Sequence, residues 1–438
     1  MPVGQTHRVV SAGMVAGLAL LGLHLATPMS AAAVVLTVTP TVAVGISNNV
    51  TNLASTQPKT SVYGALTAAA QLEFTRATSV HRVAYTVRTI QYWDGTTGNL
   101  SNSALWGSQF SLGPQVTLTV GADASIYAVS SIQTANPATV STGTAAVSST
   151  PATLVNTDAT QTLTYQPNAG ARYGQNLLVG YTDTWRSTST LPRTLRIAGG
   201  LSADRIEGAS SYSLHLLAED FERLDPGQPV AGAATATGTD HALSLQLLAG
   251  WRRDLSVTTN VGIEAGPMVV FGIGDHPQWV PGLIATAGYR SMPWYWTLTA
   301  SQQPLVNPFL GQLLIADAVS VRLSLPLDAR ETWVASGFGG YTYGRAVTPT
   351  ENVLWSARIY DLIQAGASIG YQFERLPCFV SLDYLETRQN GATNGAMAGA
   401  GQVALDSHRR VVSVTFGGNF AWGEGNHGIP LRASTAAH

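Results

Sequence analysis

Arg409–Trp422 reads RRVVSVTFGGNFAW. Taking alternate residues separates Val412, Val414, Phe416, Gly418, Phe420 and Trp422 from Val411, Ser413, Thr415, Gly417, Asn419 and Ala421. A period of two is the repeat of a strand with one oily face and one wet face. Strands in soluble sheets run to about five or six residues. This one meets the roughly 9–11 residues that a tilted strand needs to cross a bilayer.

The same alternation recurs upstream. Val62, Gly64, Leu66, Ala68, Ala70, Leu72 and Phe74 stand against Ser61, Thr67, Gln71 and Glu73. Val116 to Ala128, Leu243 to Trp251, Val319 to Leu325 and Ile363 to Tyr371 repeat it. Helical spacing fits none of these better, and the many Gly, Thr and Val residues oppose helix on propensity. The pattern predicts strands at about 34–45, 61–75, 80–93, 109–121, 125–134, 158–167, 175–186, 193–203, 209–221, 241–253, 256–268, 280–290, 293–303, 315–327, 332–345, 360–373, 377–388 and 408–422. That is an even number, about eighteen, as bacterial single-chain membrane barrels require. The run from Val116 to Ala128 is unbroken, so two of the strands over 109–134 can merge, and sixteen is the fallback. Asn136–Asp158 is low in complexity and reads as a loop.

Short links (Arg76–Ser79, Asp254–Leu255, Ser291–Met292, Asp328–Glu331, Glu374–Leu376) alternate with longer ones. The longer set is Ile46–Thr60, Asp94–Gln109, Glu222–Asp240, Phe271–Trp279, Gln303–Leu314, Ala346–Arg358 and Gln389–Ser407. Tight turns at one end and long loops at the other belong to a closed antiparallel transmembrane β-barrel. Tyr92, Trp93, Trp185, Trp251, Trp294, Trp296, Trp333, Tyr343, Tyr360, Tyr371, Tyr384 and Trp422 fall toward strand ends, where interfacial girdles would put them. The competing fold is two β-sandwiches in tandem. It would need charged outer faces, whereas the faces opposite the oily ones hold Ser, Thr, Gln and Gly.

Thr415-x-Gly417-x-x-Phe420-x-Trp422 resembles the closing-strand signal of Gram-negative outer-membrane β-barrel proteins. The resemblance covers eight positions. It implies that the barrel-assembly machinery reads this strand and that the chain lies in the cell outer membrane. The departure is a tail, Gly423–His438, beyond the aromatic at which members of the family often stop.

Composition agrees with a wall that meets lipid. Only 11% of the 438 residues are charged and the formal net charge is -2; an average soluble domain has about 25%. A near-neutral chain gives no reason to expect a nucleic-acid partner. Residues 1–33 read as a secretory signal: His7 and Arg8, then the apolar Gly13–Ala26, then the small-x-small pattern of Ala31–Ala33. The barrel is then 34–422, followed by the tail 423–438. Cys378 is the lone cysteine, so an internal disulfide is excluded.

With the oily parity toward lipid, the other parity lines the interior. Arg82, Arg88, Arg196, Arg252, Glu264, Arg290, Arg322 and Asp383 are the candidate pore-lining charges; Glu73, Asp123, His215 and Glu219 share their parity. Charges of both signs on facing walls sort solutes by field. Leu323, on the oily parity, and Ser324, beside it, form a pair on which the assignment can be tested. Enzyme signatures fail. There is no HExxH, and the scattered histidines lack metal-ligand spacing. Ser407 and His408 are adjacent on a strand, so they point to opposite faces. The glycines of Gly337–Gly344 sit in a strand pattern with no following helix, so a phosphate loop fails too. No catalytic residue, metal or cofactor is expected. The expected function is a passage for small or saccharide-like solutes, either porin-like or an export conduit. The alternatives are a plugged barrel serving as scaffold or surface-interaction protein and, last, an outer-membrane lipid-modifying enzyme. Outer-membrane lipid is the expected surroundings; oligomeric state is not legible.

Overall fold

The computed structural model describes residues 33–49, 59–94, 98–128, 153–184, 193–224, 241–272, 276–307, 312–346, 358–391 and 407–423. Residues 1–32 of the expected signal segment 1–33 lie outside them, whereas Ala33 opens the first strand, and the tail beyond Gly423 lies outside them too. The elements are β1 (Ala33–Ser47), β2 (Ser61–Thr75), β3 (Ser79–Tyr92), β4 (Asn99–Ser111), β5 (Val116–Ala128), β6 (Thr153–Asn168), β7 (Ala171–Thr184), β8 (Thr194–Glu207) and β9 (Ser210–Arg223). They continue with β10 (His241–Asp254), β11 (Thr259–Phe271), β12 (Gln278–Ser291), β13 (Trp294–Asn307), β14 (Gln312–Pro326), β15 (Trp333–Ala346), β16 (Arg358–Gln372), β17 (Cys378–Gly391), β18 (Ser407–Gly418) and β19 (Phe420–Gly423).

Each strand pairs antiparallel with its sequence neighbours, and β1 closes the sheet on β18 and β19. β18 and β19 form one wall strand. Thr41 faces Gly417 and Val38 faces Phe420, so the register runs unbroken across Asn419. Thr39 stands opposite that interruption, its Oγ1 donating to Asn419 Oδ1 at 3.3 Å, and Pro40, which has no N–H to give the ladder, follows it. The wall therefore has eighteen strands and no free edge. A strand of 14 residues, such as β7, spans about 46 Å at roughly 3.3 Å per residue. At a tilt of about 40° it rises about 35 Å, enough for the roughly 25 Å apolar band of an outer-membrane wall.

Strand parity decides which side meets what. Val42 (50% exposed), Leu66 (53%), Leu201 (57%), Val319 (48%) and Phe416 (51%) lie on one parity of the wall. The opposite parity is concave, because residues from separated strands meet there. Phe338 of β15, Leu385 of β17, Val411 of β18, Ala43 of β1, Tyr63 of β2 and Tyr92 of β3 form a single buried cluster. Bulky apolar side chains exposed around a closed wall are stable only against acyl chains.

Tight turns occupy one end: 169–170, 208–209 and 292–293 hold two residues each, and β1 starts and β19 ends there. That end carries an aromatic collar. Tyr165 stacks on Tyr173, Tyr289 on Trp296, and Phe420 on Trp422, with centroids 6.2, 6.5 and 6.1 Å apart; Trp333 meets Tyr371 at 4.8 Å. Rings with an apolar body suit the membrane boundary.

Four expectations are corrected. Asp94–Gln109 is not a loop, because β4 occupies Asn99–Ser111 and displaces the strands expected at 109–121 and 125–134. β4 blurs its own alternation: Asn102 and Ser108 lie on its outward parity and Leu105 on its inward one. The outward polar groups are satisfied across the ladder, Tyr85 Oη donating to Asn102 Oδ1 (3.2 Å) and His81 Nδ1 lying 2.8 Å from Ser108 Oγ. The loop expected over Asn136–Asp158 ends at β6, which begins at Thr153; its earlier part lies outside the described residues. Gln303–Leu314 is mostly strand, with only 308–311 between β13 and β14. Tyr92 is no girdle residue: it pairs with Tyr63 on the concave side and is 2% exposed. Trp185, also expected in the girdle, lies outside the described residues.

Candidate functional site

The concave face holds two unlike walls. Along β6 to β11 it is charged and open. Arg196 Nε donates to Glu219 Oε1 (2.7 Å), Arg172 Nε donates to Asp204 Oδ2 (2.8 Å), and His215 Nδ1 lies 3.1 Å from Glu264 Oε2. His215 also reaches Asp204 at 3.7 Å, which ties β8, β9 and β11 together. Asp123 faces Asp158 across β5 and β6, and Gly180 of β7 stands between Asp158 and Arg196. A Cβ at Gly180 would meet the Asp158 carboxylate, so the missing side chain lets that carboxylate lean across β7 toward Arg196. Partly exposed pairs of this kind contribute only about 0–1 kcal/mol each to stability. Their larger effect is a transverse field inside a ring of low-dielectric wall.

Along β15 to β18 and β1 to β3 the concave face is packed instead. Tyr63 is 0% exposed, Phe338 5% and Arg409 8%. Arg409 Nε donates to the Asn49 carbonyl at 2.9 Å. Asp383 accepts from Ser381 Oγ (2.9 Å) and Thr415 Oγ1 (3.1 Å). Arg88, with Nε and Nη2 fully enclosed, sits near Tyr63 and Tyr92.

The structure thus places the sequence-predicted charges in several groups. Arg196 and Glu264 belong to the open charged wall, Arg196 paired with Glu219 and Glu264 beside His215. Arg252 and Arg290 meet in a cleft of about 510 Å³ at the tight-turn mouth, together with Asp254 and Asn260. Arg82 pairs with Glu73 at 2.8 Å near the same mouth. Arg322 lies on the concave parity of β14, between Thr297 and Phe338 in register. Arg88 and Asp383 belong to the packed wall.

Sequence reading missed Arg172, Asp204 and Asp158 on the open wall and Arg409 on the packed one. Parity was a usable signal for Arg409, which alternates with Val411 and Ser413 on the wet side of β18, whereas Arg172 and Asp204 fell beyond the strands expected at 175–186 and 193–203 and Asp158 at the edge of the one expected at 158–167. Of the closing-strand residues, Thr415 and Gly417 point inward and Phe420 and Trp422 outward. Gly417 leaves room for the Phe379 ring and the Thr41 methyl, both of which a Cβ would strike. No group of three or more His, Cys, Asp or Glu able to hold a metal occurs among the described residues.

The chain matches no protein-family model and no curated protein. Among solved structures it is similar to OccAB3 of Acinetobacter baumannii, at 9% identity over 90% of this chain and 100% of that one, with a TM-score of 0.45. It is also similar to the outer membrane protein opdK of Pseudomonas aeruginosa, at 8% identity over 89% and 99%, with a TM-score of 0.41. A variant of the ferric enterobactin receptor of Pseudomonas aeruginosa, in complex with enterobactin, aligns at 8% identity over 88% and 81%, with a TM-score of 0.46. On the closure of its own wall, its apolar outer belt and its aromatic collar, the chain is an outer-membrane-type β-barrel of eighteen strands.

Proposed function

We propose that this barrel is a passage for small hydrophilic solutes across the outer membrane. The observation that carries the reading is the open wall of β6 to β11, where charged groups line the interior along its height: Arg172–Asp204 toward the tight turns, His215–Glu264 at mid-strand and Arg196–Glu219 toward the long-loop end. Barrels of sixteen to eighteen strands are wide enough to hold water, and mixed charges there favour polar solutes over apolar ones. Saccharide-like solutes fit a lining of Ser, Thr, Asn and Gln between charges, whether they move inward or are exported. The reading leaves no catalytic step to assign.

Tyr63, Tyr92, Phe338 and Val411, all buried on the concave side, favour a second reading: a filled barrel acting as a scaffold or surface-interaction protein. Single-channel recording in a planar bilayer separates the two. A passage gives unitary currents whose ion preference shifts toward cations in an Arg196→Glu, Arg252→Glu double variant. A folded barrel with no unitary current supports the scaffold.

A further inference from the structure

We propose that the outward rim of β17 and β18 binds the phosphorylated headgroup of a lipid in the outer leaflet. Arg388 faces His408 and Glu386 faces Arg410 across this strand pair. All four share the parity of Leu382, Val412, Val414 and Phe416, which are 50%, 41%, 50% and 51% exposed. The patch lies at the long-loop end of that apolar ladder, at headgroup height above side chains suited to acyl tails.

Glu386 organises it. Its Oε2 accepts from Tyr384 Oη (2.6 Å), and its Oε1 lies 2.8 Å from His408 Nε2 and accepts from Arg410 Nε at 3.1 Å. Arg388 is tethered through Nε to Asn390 Oδ1 at 3.4 Å. Both guanidinium groups are thus held by Nε, and their terminal Nη nitrogens carry no bond among the described residues. The Arg410 side chain is 55% exposed. Diagonal neighbours on an antiparallel pair stand about 7–8 Å apart, close enough for two arginines to grip one phosphate or two adjacent ones.

Charge singles out this sector of the rim. Elsewhere at the long-loop end, the basic groups on this parity stand against carboxylates: Arg345, itself buried, bonds Asp317 at 2.8 Å, and His241 lies 2.7 Å from Asp220 with Glu222 facing it. Within β17–β18, two arginines and a histidine accompany one carboxylate, Glu386, which holds His408 and Arg410, while the next carboxylate on this parity, Asp361 of β16, faces Asn390. An anion is favoured there and disfavoured at the neighbouring sectors.

The inference rests on the outer-membrane barrel reading, and the test separates the two. The full chain is reconstituted in phosphatidylcholine nanodiscs containing a bis-phosphorylated acyl-glucosamine glycolipid or its dephosphorylated form. Folding is followed by heat-modifiable migration, and lipid retained after detergent release is weighed by native mass spectrometry. The wild-type chain is expected to retain the phosphorylated lipid about tenfold better than the Arg388→Gln, Arg410→Gln double variant, a difference of about 1.4 kcal/mol. Retention of the dephosphorylated lipid should not differ between them. Arg388→Gln alone should give an intermediate loss. Arg205→Gln, Arg253→Gln, which removes the same charge at the tight-turn rim, should give none. Equal retention by wild type and double variant overturns the site. So does a preference that survives dephosphorylation, or a barrel dimer in place of a lipid-bound monomer. A chain that never folds in the bilayer overturns the barrel reading, and the site with it.

Discussion

Two glycines show what a missing side chain does in this wall. At Gly180 a Cβ would meet only the tip of Asp158, which can swing away. At Gly266 it would meet the carbonyl of Leu247 and the Cα of Leu248, which are main chain and cannot. Gly180→Ala should therefore change stability by less than about 0.5 kcal/mol. Gly266→Ala should cost about 1–3 kcal/mol, because β10 must move. Urea midpoints of the folded barrel in detergent check both; equal midpoints would contradict the contact at Gly266. Depth matters as much as parity. Leu323 faces Trp296 in the collar, whereas Val319 sits mid-strand on β14. Val319→Arg should cost about 2–4 kcal/mol and Leu323→Arg only about 0–1. Ser324→Arg, pointing inward, should leave folding unchanged and alter ion selectivity. Parity on β14 was legible from Val319 to Leu325 and the expected span 315–327 lies close to Gln312–Pro326, but depth was not legible, because the Trp296 collar that marks the boundary beside Leu323 belongs to the neighbouring strand.

At the scale of elements, the turns and the closing strand carry separate tests. Asp328 lies in the turn between β14 and β15, outside the spanning segments. It accepts from the Thr332 hydroxyl and, at 2.9 Å, from the Trp333 N–H. These bonds favour the ionised form and hold its carboxyl below the usual carboxylate range. The sign follows: the turn is supported at any pH above the ordinary value near 3.9, and that support is lost as pH falls through the lower folded-state pKa. An NMR titration of this carboxyl in micelles should show a midpoint below that ordinary value; one at or above it would mean the two bonds do not persist. On the closing strand, Trp422 stacks on Phe420 and faces Leu36. Trp422→Ala is expected to lower outer-membrane levels of the barrel, read by fractionation. Unchanged levels would assign the assembly signal to another strand. β4 shows why some elements were illegible: its strand character comes from ladders to β3 and β5, while Asn102, Leu105 and Ser108 interrupt its alternation. Propensity and period describe a strand alone, whereas pairing belongs to its neighbours.

At the scale of the molecule, closure and polarity were readable and the interior was not. An even strand count, tight turns alternating with longer links and a low charge content all point to a barrel, and β1 pairing with β18 and β19 completes it. Whether a concave residue meets water or a packed neighbour depends on strands far apart in sequence. Arg196 and Arg88 share a parity class, yet one lies on an open wall and the other beside Tyr63 and Tyr92. The lone cysteine offers a clean route to the central claim that one parity meets lipid and the other water. With Cys378→Ser as background, single cysteines from 318 to 325 on β14 can be spin-labelled in reconstituted bilayers. Accessibility to oxygen is then compared with accessibility to a water-soluble nickel chelate. Odd positions are expected to favour oxygen and even positions the chelate, alternating through Val319, Ser320 and Val321. A profile without that alternation, or with the two classes exchanged, would contradict the claim.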